Sequence, residues 1–103
     1  MKNVKLITEA IRKSLDPVKI VLFGSYARGE TDGDSDLDLA VIQKSLPKLG
    51  QKANIYLNLV KLGYDWKIEP DIHLFSEKDF SNKLKNGDLF VREISKGKVV
   101  YAG

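Results

Sequence analysis

A chain of 103 residues and 11.6 kDa has room for one small domain, residues 1–103, and not for a second core. Its 43% hydrophobic and 30% charged residues give an ordinary globular balance, which excludes disorder and collagen-like repetition. It has no cysteine, which excludes disulfide staples and cysteine–zinc sites, and no apolar run approaches the roughly 20 residues that span a bilayer. A cytoplasmic location without a membrane partner is therefore expected.

Val4, Leu6, Ile7, Ala10, Ile11 and Leu15 recur at three- and four-residue spacing, which predicts an amphipathic helix over 3–15. Asp16-Pro17 ends it, because the residue before a proline disfavours helical geometry. The β-branched run 18–23 reads as a largely buried strand. Gly24-Ser25 punctuates it, Tyr26-Ala27-Arg28 reads as a helical turn before Gly29, and 30–35 as a loop with a turn at Asp32-Gly33. Residues 36–42 begin with acidic and apolar residues in alternation and become wholly apolar, the pattern of a strand entering a core. Pro47 is placed in the first turn of the next helix, whose apolar positions are Leu49, Ala53, Tyr56, Leu57, Val60 and Leu62, with Gly63 as its stop. Residues 67–75 read as a third strand in which Pro70 requires an edge or a bulge. Ser76 caps a helix start at Glu77-Lys78-Asp79. A last helix covers 88–96, ended by Gly97, and a short strand covers 98–101. This order predicts a small α+β layer fold.

Charge is uneven along that order. Residues 1–29 carry six Lys/Arg against two acids, residues 30–43 carry five acids and no cation, and residues 44–103 carry eleven Lys/Arg against seven acids. A dense acidic segment in a basic chain is either a solvated loop or a site that a cation neutralises.

The segment Gly24-Ser25-Tyr26-Ala27-Arg28-Gly29 has the parts of a phosphate cradle. A strand that runs through a Gly-Ser turn into a helical turn presents backbone N–H groups, serine adds a hydroxyl, and Arg28 adds a charged fork. The glycine spacing is Walker-like, but Glu30 stands where the lysine would be, so a P-loop is rejected. Asp36 and Asp38 are alternate residues of one strand and share a face, at a separation suited to one divalent ion. An EF-hand beginning at Asp32 is rejected, because Leu37 and Gln43 stand where glycine and glutamate are needed. Asp71 in the later strand could bring a third carboxylate to the same face, and Glu69, two residues earlier, competes for that role. A cradle beside three carboxylates suits Mg²⁺ ions that hold a nucleoside triphosphate for attack by a hydroxyl.

Gly24-Ser25, ten residues, then Asp36-x-Asp38 resembles the signature of the DNA polymerase β-like nucleotidyltransferase superfamily. Within it, the Gly-Ser-Tyr-Ala-Arg-Gly string resembles the minimal nucleotidyltransferase (MNT) family. The specific part of the likeness runs from Val18 to Val41, and a looser part continues through Asp71-Ile72 to Tyr101. The resemblance implies an αβαβαβ core with a mixed sheet flanked by helices. It implies transfer of NMP, AMP from ATP above all, to a hydroxyl with release of pyrophosphate. Gly24, Ser25 and Arg28 would bind the triphosphate, Asp36 and Asp38 would ligate two Mg²⁺ ions, and Asp71 would complete the catalytic metal site and help deprotonate the acceptor. Minimal members also resemble antitoxins paired with a helical HEPN-family ribonuclease toxin, some of which place AMP on a tyrosine of the toxin.

The remaining features have plainer readings. His73, the sole histidine, is expected to alternate away from Asp71 and to serve packing. Tyr56, Tyr64, Trp66 and Phe75 could stack a base, but positions near element ends favour packing. Tyr26 is read as a packing residue, and Asp32 and Asp34 as loop residues. The lysines of 44–98 form no stripe, so direct nucleic-acid binding is not expected. A non-catalytic module that neutralises a partner by contact is the alternative to the enzyme, and the three carboxylates favour the enzyme.

Overall fold

Alternation of side chains along the strands decides which helices cover which face of the sheet. The computed structural model describes residues 2–29 and 36–103. Its elements are α1 (Lys2–Ser14), β1 (Pro17–Phe23), α2 (Gly24–Arg28), β2 (Leu37–Gln43), α3 (Gln51–Lys61), β3 (Pro70–Ser76), α4 (Glu77–Lys85), α5 (Leu89–Ser95) and β4 (Lys98–Ala102). The sheet order is β3-β2-β1-β4. β1 runs antiparallel to both β2 and β4, and β2 and β3 are parallel, so the sheet is mixed, as expected. A parallel pair needs a crossover connection, and α3 supplies it.

One face of the sheet carries Ile20, Leu22, Leu37, Leu39, Val41 and Ile72, which pack with Val4, Ile7, Ala10 and Ile11 of α1 and Ile55 and Leu59 of α3. Full burial of each large aliphatic side chain there contributes about 1.5–3 kcal/mol. The opposite face carries Val21, Phe23 and Ala40, covered by Ile94 of α5 with Phe75 and Phe80 packed against them. Two helical layers thus enclose the sheet. Gly97, between α5 and β4, lies so close to β1 that a Cβ there would meet the Leu22 carbonyl oxygen at 2.5 Å.

The expected elements from 3 to 28 are found within two residues of their bounds. The turn expected at Asp32-Gly33 lies outside the described residues. The third helix differs more. Pro47 and Leu49 are not part of it, because Gly50 adopts φ +92° and α3 begins at Gln51. The Gln51 side chain fixes that start by accepting from the Lys48 N–H at 2.7 Å and exchanging two hydrogen bonds with buried Gln43. Its buried face is also rotated from the expected one: Ile55 and Leu59 point inward, while Leu57 and Val60 are exposed. Pro70 opens β3 at the sheet edge, where its missing N–H costs no ladder bond. Residues 67–69 precede that strand rather than belonging to it. Ser76 caps α4 by accepting from the Asp79 N–H at 3.1 Å, and Asp88 caps α5 by accepting from the Val91 N–H at 3.0 Å.

Candidate active site

Three residues stand abreast across the sheet: Phe23 at the end of β1 pairs with Asp38, and Asp38 pairs with Asp71 on β3. Leu37, Leu39 and Ile72 point to the α1/α3 side. Strand alternation therefore sends Asp38 and Asp71 to the α4/α5 side, where β1 ends and β2 and β3 begin. The same alternation corrects the expectation for His73. Two residues after Asp71 on one strand, it shares the face of Asp71, and its Nε2 lies 3.3 Å from Asp71 Oδ2. Donor atoms of Asp38, Asp71 and His73 all fall within 4.8 Å of one another. Among the described residues, this group contains Asp71 and not its competitor Glu69. Glu69 lies before the strand, with its backbone carbonyl accepting from the Leu37 N–H at 2.9 Å. Asp36 is exposed just ahead of β2, outside this tight group but near enough for its charge to act on Asp38.

The electrostatics follow from that crowding. Burial pushes the Asp38 carboxyl above its ordinary value of 3.8. The Asp71 charge pushes the same way, as do Asp36 and a hydrogen bond with Asp71, while His73 opposes them. Two carboxylates abreast repel unless a proton or a cation lies between them. Hard oxygen donors crowded at one point suit a divalent ion such as Mg²⁺.

An aromatic group fixes the segment that delivers Asp71. The Tyr56 hydroxyl on α3 donates to the Pro70 carbonyl at 3.0 Å, and the Tyr64 hydroxyl donates to the Ile68 carbonyl at 2.5 Å. Trp66 stacks on Tyr56 with ring centroids 6.1 Å apart and meets Tyr64 edge-on at 5.1 Å. Burial, then the charges of Asp71, Glu69 and Asp36, raises the Tyr56 phenol; burial, then Asp65, pushes Tyr64 to about 12. Both hydroxyls therefore stay protonated as donors near neutral pH. Packing is what these aromatics do in this structure.

The Gly24 turn, the candidate cradle, lies against Asp38. Gly24 has φ +76°, and a Cβ on it would stand 2.5 Å from Asp38 Oδ2. Ser25 follows in the first turn of α2, which no side chain caps at Phe23. Gly29 closes the helix with φ +74°. Gly24 and Arg28 border a cavity of about 450 Å³ that Arg92, Lys96 and Lys98 also line, and Arg28 Nη1 contacts Glu93 Oε1 there at 2.8 Å. Arg92, Lys96 and Lys98 lie close together in sequence but more than sixty positions from Arg28, and only the return of α5 and β4 against β1 brings them beside Gly24 and Arg28.

Residues 5–102 match the family profile described as polymerase beta, nucleotidyltransferase. Over 85 residues, 80% of its length, the chain is 38% identical to "Putative protein adenylyltransferase MJ0141" of Methanocaldococcus jannaschii, covering 84% of that protein. A stretch of 33 residues, 32% of the chain, is 61% identical to "Putative protein adenylyltransferase MJ1305" of the same organism, and covers 22% of that longer relative. In architecture the chain is similar to the crystal structure of a "putative nucleotidyltransferase", with a TM-score of 0.58 at 20% identity, covering 98% of this chain and 100% of the other.

Proposed function

We propose that this chain, which belongs to the polymerase β nucleotidyltransferase family and is a nucleotidyltransferase, transfers AMP from ATP to a tyrosine hydroxyl of a partner protein. The observation that carries this reading is the in-register pair Asp38–Asp71 beside Gly24. It supports the reading because two carboxylates able to hold a divalent ion sit beside a glycine turn that could admit phosphate.

Asp38 and Asp71, with Asp36 beside them, are the residues that would hold Mg²⁺. A divalent ion held there would neutralise phosphate charge and make a nearby hydroxyl more acidic. Gly24 lets the backbone approach the β- and γ-phosphates closely, and Ser25 adds a hydroxyl donor. Arg28 offers a planar fork for triphosphate oxygens, and the cations around it favour an anionic tail. In the transfer, the acceptor oxygen forms a bond to the α-phosphorus while the bond from that phosphorus to the bridging oxygen breaks. Pyrophosphate leaves, and the hydroxyl proton passes to Asp71.

The name of the relative matched over 84% of its length supports a protein acceptor. The partner we propose is a HEPN-type toxin, with this chain as the antitoxin that silences it by modification. The test is label transfer with Mg²⁺ and α-³²P-ATP in lysate of the source organism, comparing the wild type with the Asp36→Ala/Asp38→Ala double variant. A protein labelled by the wild type alone, with AMP mapped to a tyrosine, is the expected result. Label on RNA, or equal labelling by both proteins, would overturn the reading.

A further inference from the structure

Besides the carboxylates, the tight group at this site contains one nitrogen donor. His73 Nε2 lies 3.3 Å from Asp71 Oδ2, within the 4.8 Å group that includes Asp38. Two ligands at right angles on an ion with bonds of about 2.1 Å stand about 3 Å apart, so this spacing, which also allows a direct His73–Asp71 contact, suits neighbouring ligands of one ion. The imidazole is also held in place. Its ring lies 5.6 Å from that of Phe23 and 5.2 Å from that of Phe90, and those two phenyl rings contact each other edge-on at 5.5 Å. An aromatic clamp from β1 and α5 thus holds the sole histidine of the chain, half-buried, beside the carboxylates.

We infer that His73 is a direct nitrogen ligand of the divalent ion held by Asp38 and Asp71. It makes this a mixed nitrogen–oxygen site that prefers Mn²⁺ to Mg²⁺. The inference rests on the reading of these carboxylates as the metal site and adds the donor that sets metal choice. Mg²⁺ is satisfied by carboxylate and water oxygens, whereas transition-metal ions gain from an imidazole nitrogen. Replacing the ligand is expected to lower Mn²⁺ affinity at least about tenfold and to leave Mg²⁺ affinity much less changed.

The experiment uses tag-free protein and Mn²⁺ alone. Binding is measured by titration calorimetry, and ligation by the ¹⁴N coupling in pulsed EPR of the bound ion. Because the chain has one histidine, an imidazole coupling has one possible source. The wild type is expected to show it. His73→Gln and His73→Phe are expected to lose it together with the Mn²⁺ preference. His73→Phe keeps a ring between Phe23 and Phe90, so recovery of Mn²⁺ affinity in that variant would assign His73 to packing and overturn the inference. Mn²⁺ bound by the wild type without nitrogen coupling would also overturn it while leaving the carboxylate site standing. No Mn²⁺ or Mg²⁺ binding at all would remove the metal-site reading and this inference with it.

Discussion

Gly24 and Asp38 are packed so closely that a Cβ on the glycine would stand 2.5 Å from Oδ2 of the carboxylate. The turn proposed to receive phosphate and the carboxylate proposed to hold metal are therefore a single packed unit. Gly24→Ala introduces that clash in addition to an alanine at φ +76°. Gly29 provides the control: its φ is +74°, and nothing lies within 4 Å of the added Cβ. Gly29→Ala is expected to lose about 1 kcal/mol of stability from the backbone alone and to keep divalent-ion binding. Gly24→Ala is expected to lose at least that much and also to weaken Mn²⁺ binding and transfer by a hundredfold or more, since it displaces Asp38. Urea denaturation and calorimetry on the two variants separate these effects. Equal metal affinity in both would mean that the contact is incidental.

Asp38 and Asp71 face each other in register, and like charges directly opposite across strands destabilise by roughly 0.2–1 kcal/mol. Folding raises the Asp38 carboxyl above 3.8, chiefly through burial. Between the ordinary and the raised value the native state binds more protons than the unfolded chain, so metal-free stability falls as pH rises through that window and stays low above it. Asp38→Asn is expected to flatten this slope, to raise the metal-free melting temperature at pH 7 by a few degrees, and to abolish transfer. A divalent ion should stabilise the wild type, by about 2.7 kcal/mol at one hundred times its dissociation constant, and not the variant. Melting curves at pH 4 to 8 with and without Mn²⁺ provide the check. A variant less stable than the wild type at pH 7 would contradict it.

Much of this site was legible in the sequence because it depends on period two. Asp38 and Asp71 are strand positions, as the alternation predicts, and adjacency of β2 and β3 does the rest; Asp36, expected to open the strand, lies one residue before β2. The same period places Asp71 and His73 on one face, so a histidine turned away from Asp71 contradicts the strand's own alternation. Other features were not readable locally. The buried face of α3 depends on the turn at Gly50 and on the Gln43–Gln51 pair, and a long-range partner cannot be found from helical spacing. The Arg28–Glu93 contact and the cations around it are assembled by residues more than sixty positions apart. No window of sequence contains them.

Arg28 and Glu93 are each about half exposed, with side-chain exposures of 49% and 48%, so their ion pair contributes within about 0.5 kcal/mol to stability. With Arg28 as the proposed triphosphate ligand, its consequence lies in binding. Arg28→Ala is expected to raise the KM for ATP about tenfold or more, with a melting temperature close to that of the wild type. Glu93→Gln should lower that KM, because it removes a carboxylate that competes with the triphosphate for the guanidinium. Steady-state kinetics with the two variants decide this. A KM that rises in both would show that Glu93 orients Arg28 instead of competing for it.

Tyr56 holds the start of β3 from α3: its hydroxyl donates to the Pro70 carbonyl at 3.0 Å, one residue before Asp71. Burial and the nearby carboxylates raise its phenol above the ordinary 10, so the proton stays in place across the working pH range. Tyr56→Phe removes one neutral hydrogen bond, a loss of about 0.5–1.5 kcal/mol, and keeps the ring against Trp66. If the bond positions Asp71, kcat is expected to fall several-fold, because small displacements of a reacting group are costly. The KM for ATP should stay near its wild-type value, because the cradle lies on β1 and α2. Tyr64→Phe is the matched control, since it removes a comparable hydroxyl, bonded to Ile68 and farther from Asp71 along the chain. Kinetics at saturating ATP compare the two variants. An equal loss of kcat in both would mean that these hydroxyls stabilise the connection generally, with no particular role in placing the carboxylate.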